Sequence, residues 1–196
     1  MNLFVFDTNL FREIHVNLRR EWLDGFMMLI SNSGLDSIKA ALILPSLLWP
    51  RTRAHAWVVV LATAAAGLAR LPLMKLVGRM RPSNYQWATP LENVYSYESS
   101  FPSGHTTAAF ATAVALWLLL RGTRYAWLGV VAWVWAALVA FSRIYVGVHY
   151  PTDVVAGAIF GGVIGGLVAE WAIKRLVQSP SVSSPVGPES PGNPPQ

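Results

Sequence analysis

The sequence predicts an all-α protein, a polytopic membrane helical bundle of about five to six membrane helices. Three observations carry this. Hydrophobic residues make up 54% of the 196 and charged residues only 13%, with a mean hydropathy of +0.41. Four apolar runs, residues 54–73, 104–120, 125–142 and 154–173, are each roughly 25–30 Å long as helix, about the thickness of a bilayer's hydrocarbon core. Nine tryptophans fit anchoring at membrane interfaces.

Residues 1–20 mix apolar and charged side chains and read as a short interfacial segment. Their start, MNLFVFDTNLFREIH, lacks the basic n-region and small-residue cleavage site of a signal peptide. Residues 21–31 are apolar but too short to span, and Asn32, Ser33 and Gly34 interrupt them. Residues 35–49 continue to the break at Pro50 and Arg51. One long kinked helix and a shallow helix followed by a span both fit this pattern. The run 154–173 carries Gly157, Gly161 and Gly165 four apart, a spacing that lets helix backbones approach, here within the bundle rather than in a dimer. Residues 178–196 hold six prolines and five serines and predict a disordered tail. The division is therefore 1–33 as N-terminal segment, 34–177 as transmembrane domain and 178–196 as tail. No internal repeat is visible.

The net charge of +5 does not indicate a nucleic-acid partner, because the basic residues sit in short runs between apolar segments. The chain has no cysteine, which excludes disulfides, thiolate chemistry and cysteine-based metal sites. Arg51 with Arg53, Arg121 with Arg124, and Lys174 with Arg175 fall on one face when spans are counted. The positive-inside rule makes that face cytoplasmic, with the tail, in the inner (plasma) membrane. The extracytoplasmic face then receives residues 74–103 and 143–153, which hold Lys75, Arg81, Arg143, His149 and Asp153, with His105 at its edge.

Three clusters lie there: KLVGRMRP (75–82), PSGH (102–105) and SRIYVGVHYPTD (142–153). Together they hold cations, two histidines, a carboxylate and a helix start, an inventory that suits a phosphate ester. Arginine forks bind phosphate oxygens bidentately. Ser103 is placed to cap a helix starting at Gly104, whose first-turn N–H groups and dipole then face an anion. Of the two histidines, one attacks phosphorus and the other protonates the leaving oxygen. Asp153 is positioned to hydrogen-bond a ring nitrogen of His149 and set its tautomer. Pro151 sits in the first turn of the last helix, with His149 just before it. Taken singly, His105 reads as a cap histidine, His149 as interfacial, Asp153 as a first-turn acid and Arg143 as a snorkelling cation. Their convergence weighs against those readings. Arg79 fits headgroup and substrate contact equally. Tyr85, Trp87, Tyr95 and Tyr97 read as an aromatic belt, and His55, on the other face, as interfacial.

These clusters resemble the signature of the type 2 phosphatidic acid phosphatase (PAP2) superfamily: K-x6-R-P, P-S-G-H and S-R-x5-H-x3-D. The second and third match fully, at Pro102 to His105 and at Ser142, Arg143, His149 and Asp153. The resemblance covers roughly residues 54–170, and the short chain and its LDGFMMLISNSG lead-in look like the undecaprenyl pyrophosphate phosphatase branch. It implies a phosphohistidine on His149, oriented by Asp153, with His105 as general acid. It also implies phosphate binding by Arg81, Ser103, Gly104 and Arg143. No metal or cofactor is expected, because the cations of the three clusters supply the positive charge. The first motif departs: its lysine position holds Met74, and Lys75 stands one residue on. Lys75 is the expected replacement, with Arg79 as a substitute. The expected activity is hydrolysis of a membrane lipid phosphate. Undecaprenyl pyrophosphate comes first, with phosphatidylglycerol phosphate, phosphatidic acid, lipid A 1-phosphate and phosphotransfer as alternatives. The off-register lysine leaves room for a weakly active enzyme, or for a non-catalytic lipid-phosphate binder or transporter.

Overall fold

The computed structural model describes residues 3–85, 87–91 and 98–177. The expected tail and two of the belt tyrosines, Tyr95 and Tyr97, lie outside the described residues. Among the described residues, seven α-helices follow one another: α1 (Leu3–Arg12), α2 (Glu21–Ser33), α3 (Asp36–Leu48), α4 (Arg53–Val77), α5 (Gly104–Leu120), α6 (Ala126–Tyr145) and α7 (Pro151–Ala172). A π-turn, Glu13–Asn17, continues α1, and another, Ile173–Val177, continues α7.

Among the described residues, Arg53–Val77, Ala126–Tyr145 and Pro151–Leu176 are long and apolar enough to cross a membrane. The apolar α5, at 17 residues, is about 25 Å long, close to that requirement. α2 and α3 have 13 residues each, about 20 Å, too short to span singly. The chain breaks between them at Leu35, which is extended (φ −65°, ψ 142°). The N-terminal region is thus two short helices rather than one long kinked helix.

α5 is the hub, packed by α4, α6 and α7. The glycine stripe of α7 explains its contact. An added Cβ at Gly157 would lie 2.8 Å from the carbonyl oxygen of Ser103, and one at Gly165 would lie 2.6 Å from Cα of Ala111. At Gly161 it would collide with the carbonyl of Thr107. The stripe is filled by this chain's own backbone, as expected, which is how small residues bring membrane helices together. Thr63 and Thr112 add a hydrogen bond of 2.9 Å between α4 and α5. Leu68, Val134, Ile159, Val163 and Leu167 are exposed on the outside, the inverted arrangement of a bundle solvated by lipid.

Because α4 to α7 alternate in direction, one end of the bundle gathers the start of α4, the end of α5, the start of α6 and the end of α7. Val58, Val59, Ala115, Ala169 and Ala172 pack near that end. The opposite end gathers all three motif clusters.

Candidate active site

α4 stops at Gly78, whose φ of 57° is left-handed and whose N–H bonds back to the Met74 carbonyl at 3.1 Å. The reversal carries Arg79 and Arg81 over the ends of α5 and α7. Two short bonds fix this strand of chain: the Arg79 N–H to Ser99 Oγ at 3.0 Å and the Ser100 N–H to the Arg79 carbonyl at 2.6 Å.

His149 lies on the link between α6 and α7 and is only 1% exposed. Its Nε2 faces the Arg81 guanidinium at 3.3 Å. Arginine only donates, so Nε2 is the unprotonated nitrogen and the hydrogen sits on Nδ1. Nδ1 is 3.3 Å from Ser100 Oγ, which donates to Asp153 Oδ2 at 2.5 Å. The direct distance from Nδ1 to Asp153 is 3.8 Å, too long for a hydrogen bond. The expected His149–Asp153 bond is therefore relayed through Ser100. Burial, together with the charges of Arg81 and Arg143 and against the pull of Asp153, pushes the pKa of His149 down to about 4. The ring is neutral near neutral pH, with its free lone pair aimed at the arginine.

Asp153 is held as strongly as it holds. It is the third residue of α7 and accepts the Tyr150 N–H at 2.9 Å, a reach-back that helix N-termini favour. Arg79 donates to its Oδ1 at 2.9 Å, to Asp7 at 2.6 Å and to Thr152 Oγ1 at 2.8 Å, and stacks 3.9 Å above the Tyr150 ring. Arg79 thus has work that neither the headgroup nor the substrate reading includes. It bridges two carboxylates, work for which a planar guanidinium is suited.

α5 begins at Gly104, as its PSGH context predicts, but Ser103 does not cap it. The Ser103 hydroxyl instead accepts from Thr106 Oγ1 at 3.0 Å, and its N–H bonds to the Asp153 carbonyl at 3.0 Å. The first-turn N–H groups have no intrahelical partner and stay available for an anion. His105 follows, its ring against Gly34, where an added Cβ would come within 3.1 Å of its Cδ2. The cations Arg143, Lys39 and Arg81 act on the His105 ring electrostatically. Arg143 is 4% exposed and donates to Ser31 of α2.

The structure therefore brings together His105, His149, Asp153, Arg81, Arg143, Ser103 and Gly104. It does not bring in Lys75, which points outward and is exposed. One step along a helix turns a side chain by about 100°, and no local distortion of α4 corrects for it. Arg70, one turn before Met74, approaches Gly104 instead. Sequence reasoning missed Ser100, Asp7, Ser31, Lys39 and Arg70. Within residues 1–20, two side chains reach the ends of the helices that carry the site. Asp7 receives the Thr152 N–H at 2.9 Å, and His15 Nδ1 bonds to the Tyr145 carbonyl at 2.7 Å. His15 lies against Gly147, whose φ is 88° and where an added Cβ would come within 2.6 Å of that ring, so no side chain is admitted. Burial lowers the pKa of His15 as well. Among the described residues, no group of three or more histidine, cysteine or carboxylate side chains is placed to hold a metal.

The sequence profile of the PAP2 superfamily matches residues 55–176. An undecaprenyl-diphosphatase of Sulfolobus acidocaldarius is 31% identical over 178 residues, 88% of this chain and 84% of the relative. The crystal structure of Aquifex aeolicus LpxE superposes with a TM-score of 0.73 at 26% identity, over 87% of this chain and 98% of the other. That of a transmembrane PAP2 type phosphatidylglycerolphosphate phosphatase from Bacillus subtilis gives 0.66 at 27%, over 88% and 94%.

Proposed function

The chain belongs to the PAP2 superfamily, and from that premise we propose a multi-pass membrane phosphatase that hydrolyses a lipid diphosphate, undecaprenyl diphosphate first, through a phosphohistidine. One observation carries this: a buried, neutral His149, fixed through Ser100 by Asp153, with Nε2 3.3 Å from the Arg81 guanidinium. A site that only binds needs cations. It does not need a histidine tautomer held in this way.

Nε2 attacks the terminal phosphorus in line, and its bond to the bridging oxygen breaks as His105 protonates that oxygen and the lipid monophosphate departs. Arg81, Arg143 and the N–H groups of Gly104 and His105 hold the equatorial oxygens as charge builds on them. Water, deprotonated by His105, then attacks the phosphohistidine. The phosphorus–nitrogen bond breaks, and phosphate leaves. Asp153 stays ionised throughout, balancing the imidazolium character of His149 in the transition state.

The arginines and lysine at the far end of the bundle support an active site on the extracytoplasmic face of the inner membrane, with the C-terminus cytoplasmic. Undecaprenyl diphosphate ranks first because the Sulfolobus relative so named aligns over most of both chains. Phosphatidylglycerol phosphate follows, from the Bacillus subtilis structure.

The test is phosphate release by purified protein in detergent with EDTA, from undecaprenyl diphosphate, phosphatidylglycerol phosphate and phosphatidic acid. The expected result is release that survives EDTA and is fastest with the diphosphate. Release abolished by EDTA, or none from any lipid, contradicts the proposal.

A further inference from the structure

We propose that Arg70 is a phosphate ligand of this site and supplies the cation that Met74 does not. The inference rests on the phosphatase reading and extends it to a residue outside every motif cluster. Arg70 sits in the apolar part of α4, half-buried. Its guanidinium lies flat on the first residue of α5. An added Cβ at Gly104 would meet Cζ and one terminal nitrogen at 2.9 Å and Nε at 3.1 Å.

Its polar partners are neutral and weak: Met74 Sδ at 3.3 Å and the Pro102 carbonyl at 3.5 Å. Among the described residues it meets no carboxylate. Arg79, nine residues on, has two. A guanidinium held in an apolar helix is costly without a counter-charge. This one is also pressed against the positive end of a helix dipole, on the side of the bundle where Arg81 and Arg143 already lie. The helix dipole and the two cations both act unfavourably on the Arg70 charge until an anion sits among them. A phosphate on the α5 N-terminus accepts from Arg70 and from the first-turn N–H groups together, and turns the repulsion into attraction.

The register explains why arginine is used. Positions 70 and 74 are one turn apart on the same face of α4. The arginine starts a turn deeper in the membrane and is long enough to reach the phosphate level, lying along Met74 as it does. Gly104 has no Cβ, which leaves room for the guanidinium plane.

The experiment compares the full-length wild type with Arg70→Gln, Arg70→Lys and the double variant Arg70→Gln/Met74→Lys. It reads kcat/KM on undecaprenyl diphosphate, competitive inhibition by inorganic phosphate, and melting temperature in detergent with and without phosphate. Arg70→Gln is expected to lose about 10- to 100-fold in kcat/KM, the worth of a charge-assisted phosphate contact. Its inhibition by phosphate weakens in step, and its phosphate-free melting temperature does not fall. Lysine at position 74 restores at least part of both losses, and Arg70→Lys retains more than glutamine does. Unchanged kcat/KM in Arg70→Gln overturns the inference. So does lost activity with phosphate inhibition intact, since that marks a structural role. If the wild type releases no phosphate, the phosphatase reading fails. Phosphate then still decides on Arg70: stabilisation of the wild type but not of Arg70→Gln supports the ligand, and equal stabilisation refutes it.

Discussion

The motif-bearing helices α5 to α7 and the N-terminal layer α1 to α3 contribute to the same site in different ways. The first group places the groups proposed to react at chain positions set by helix ends. His105 follows Gly104 at the start of α5, and Asp153 sits in the first turn of α7. The second group contributes no residue proposed to touch phosphorus. It supplies Asp7 to Arg79 and Thr152, Ser31 to Arg143, His15 against Gly147 and Gly34 against His105. The proposed chemistry is concentrated in one region and its orientation is held from another. Substitutions in the two regions should therefore separate loss of activity from loss of stability.

His149→Ala gives the largest expected effect, a loss of at least ~10³-fold in kcat with phosphate inhibition retained, because it removes the proposed nucleophile and leaves the cations. A residual rate within tenfold would move the chemistry elsewhere. Asp7→Ala should act in the opposite way. It leaves Arg79 with one carboxylate fewer at a nearly buried position, which costs about 3 kcal/mol of stability. At temperatures where the variant stays folded, kcat should stay within a few-fold. A Asp7→Ala protein with normal melting and a large loss of kcat would dissolve the distinction between the regions.

Acid should reach both regions. His149 is held neutral in the folded protein, with a pKa of about 4 against 6.5 for the ordinary group. Between those values the unfolded chain binds the additional proton, so stability falls as pH drops through the window and levels off below it. The shift corresponds to up to about 3 kcal/mol. His15, also lowered by burial, adds to the loss in the same direction. Melting temperature against pH reads this, and the His149→Ala slope should be shallower than that of the wild type. Ser100→Ala sets the smallest effect, about tenfold in kcat, with the acid limb of kcat/KM shifted because the link from Nδ1 to Asp153 is broken. No shift would mean that the 3.8 Å contact suffices without the hydroxyl.

The same division accounts for what could be read from the sequence. α5 was legible at both ends, from the PSGH string and from Arg121, since a helix start and an apolar run are local features. α4 ran on to Val77 where the apolar run was read to residue 73, because Met74, Leu76 and Val77 are helix-compatible and the stop is Gly78. The glycine stripe of α7 was legible because its period of four is itself the contact. Asp7 was not. Its partner Thr152 is 145 residues away, and an aspartate in a mixed segment carries no periodic signal. Ser31 and Lys39 were hidden for the same reason. Ser100 lies directly before FPSGH, yet a loop serine reveals no partner until the chain is folded. Arg70 did carry a signal: a single cation in the apolar run 54–73 is expensive enough to need a function.

The first measurement is to trap the phosphorylated enzyme. Protein mixed with undecaprenyl diphosphate radiolabelled in its terminal phosphate is quenched on the millisecond scale under alkaline denaturing conditions. The predicted result is label bound covalently to the chain, stable to alkali and released by mild acid, mapping to His149 and absent from His149→Ala. Phosphate release without such a label, or a label that persists in His149→Ala, would contradict a phosphohistidine at this position.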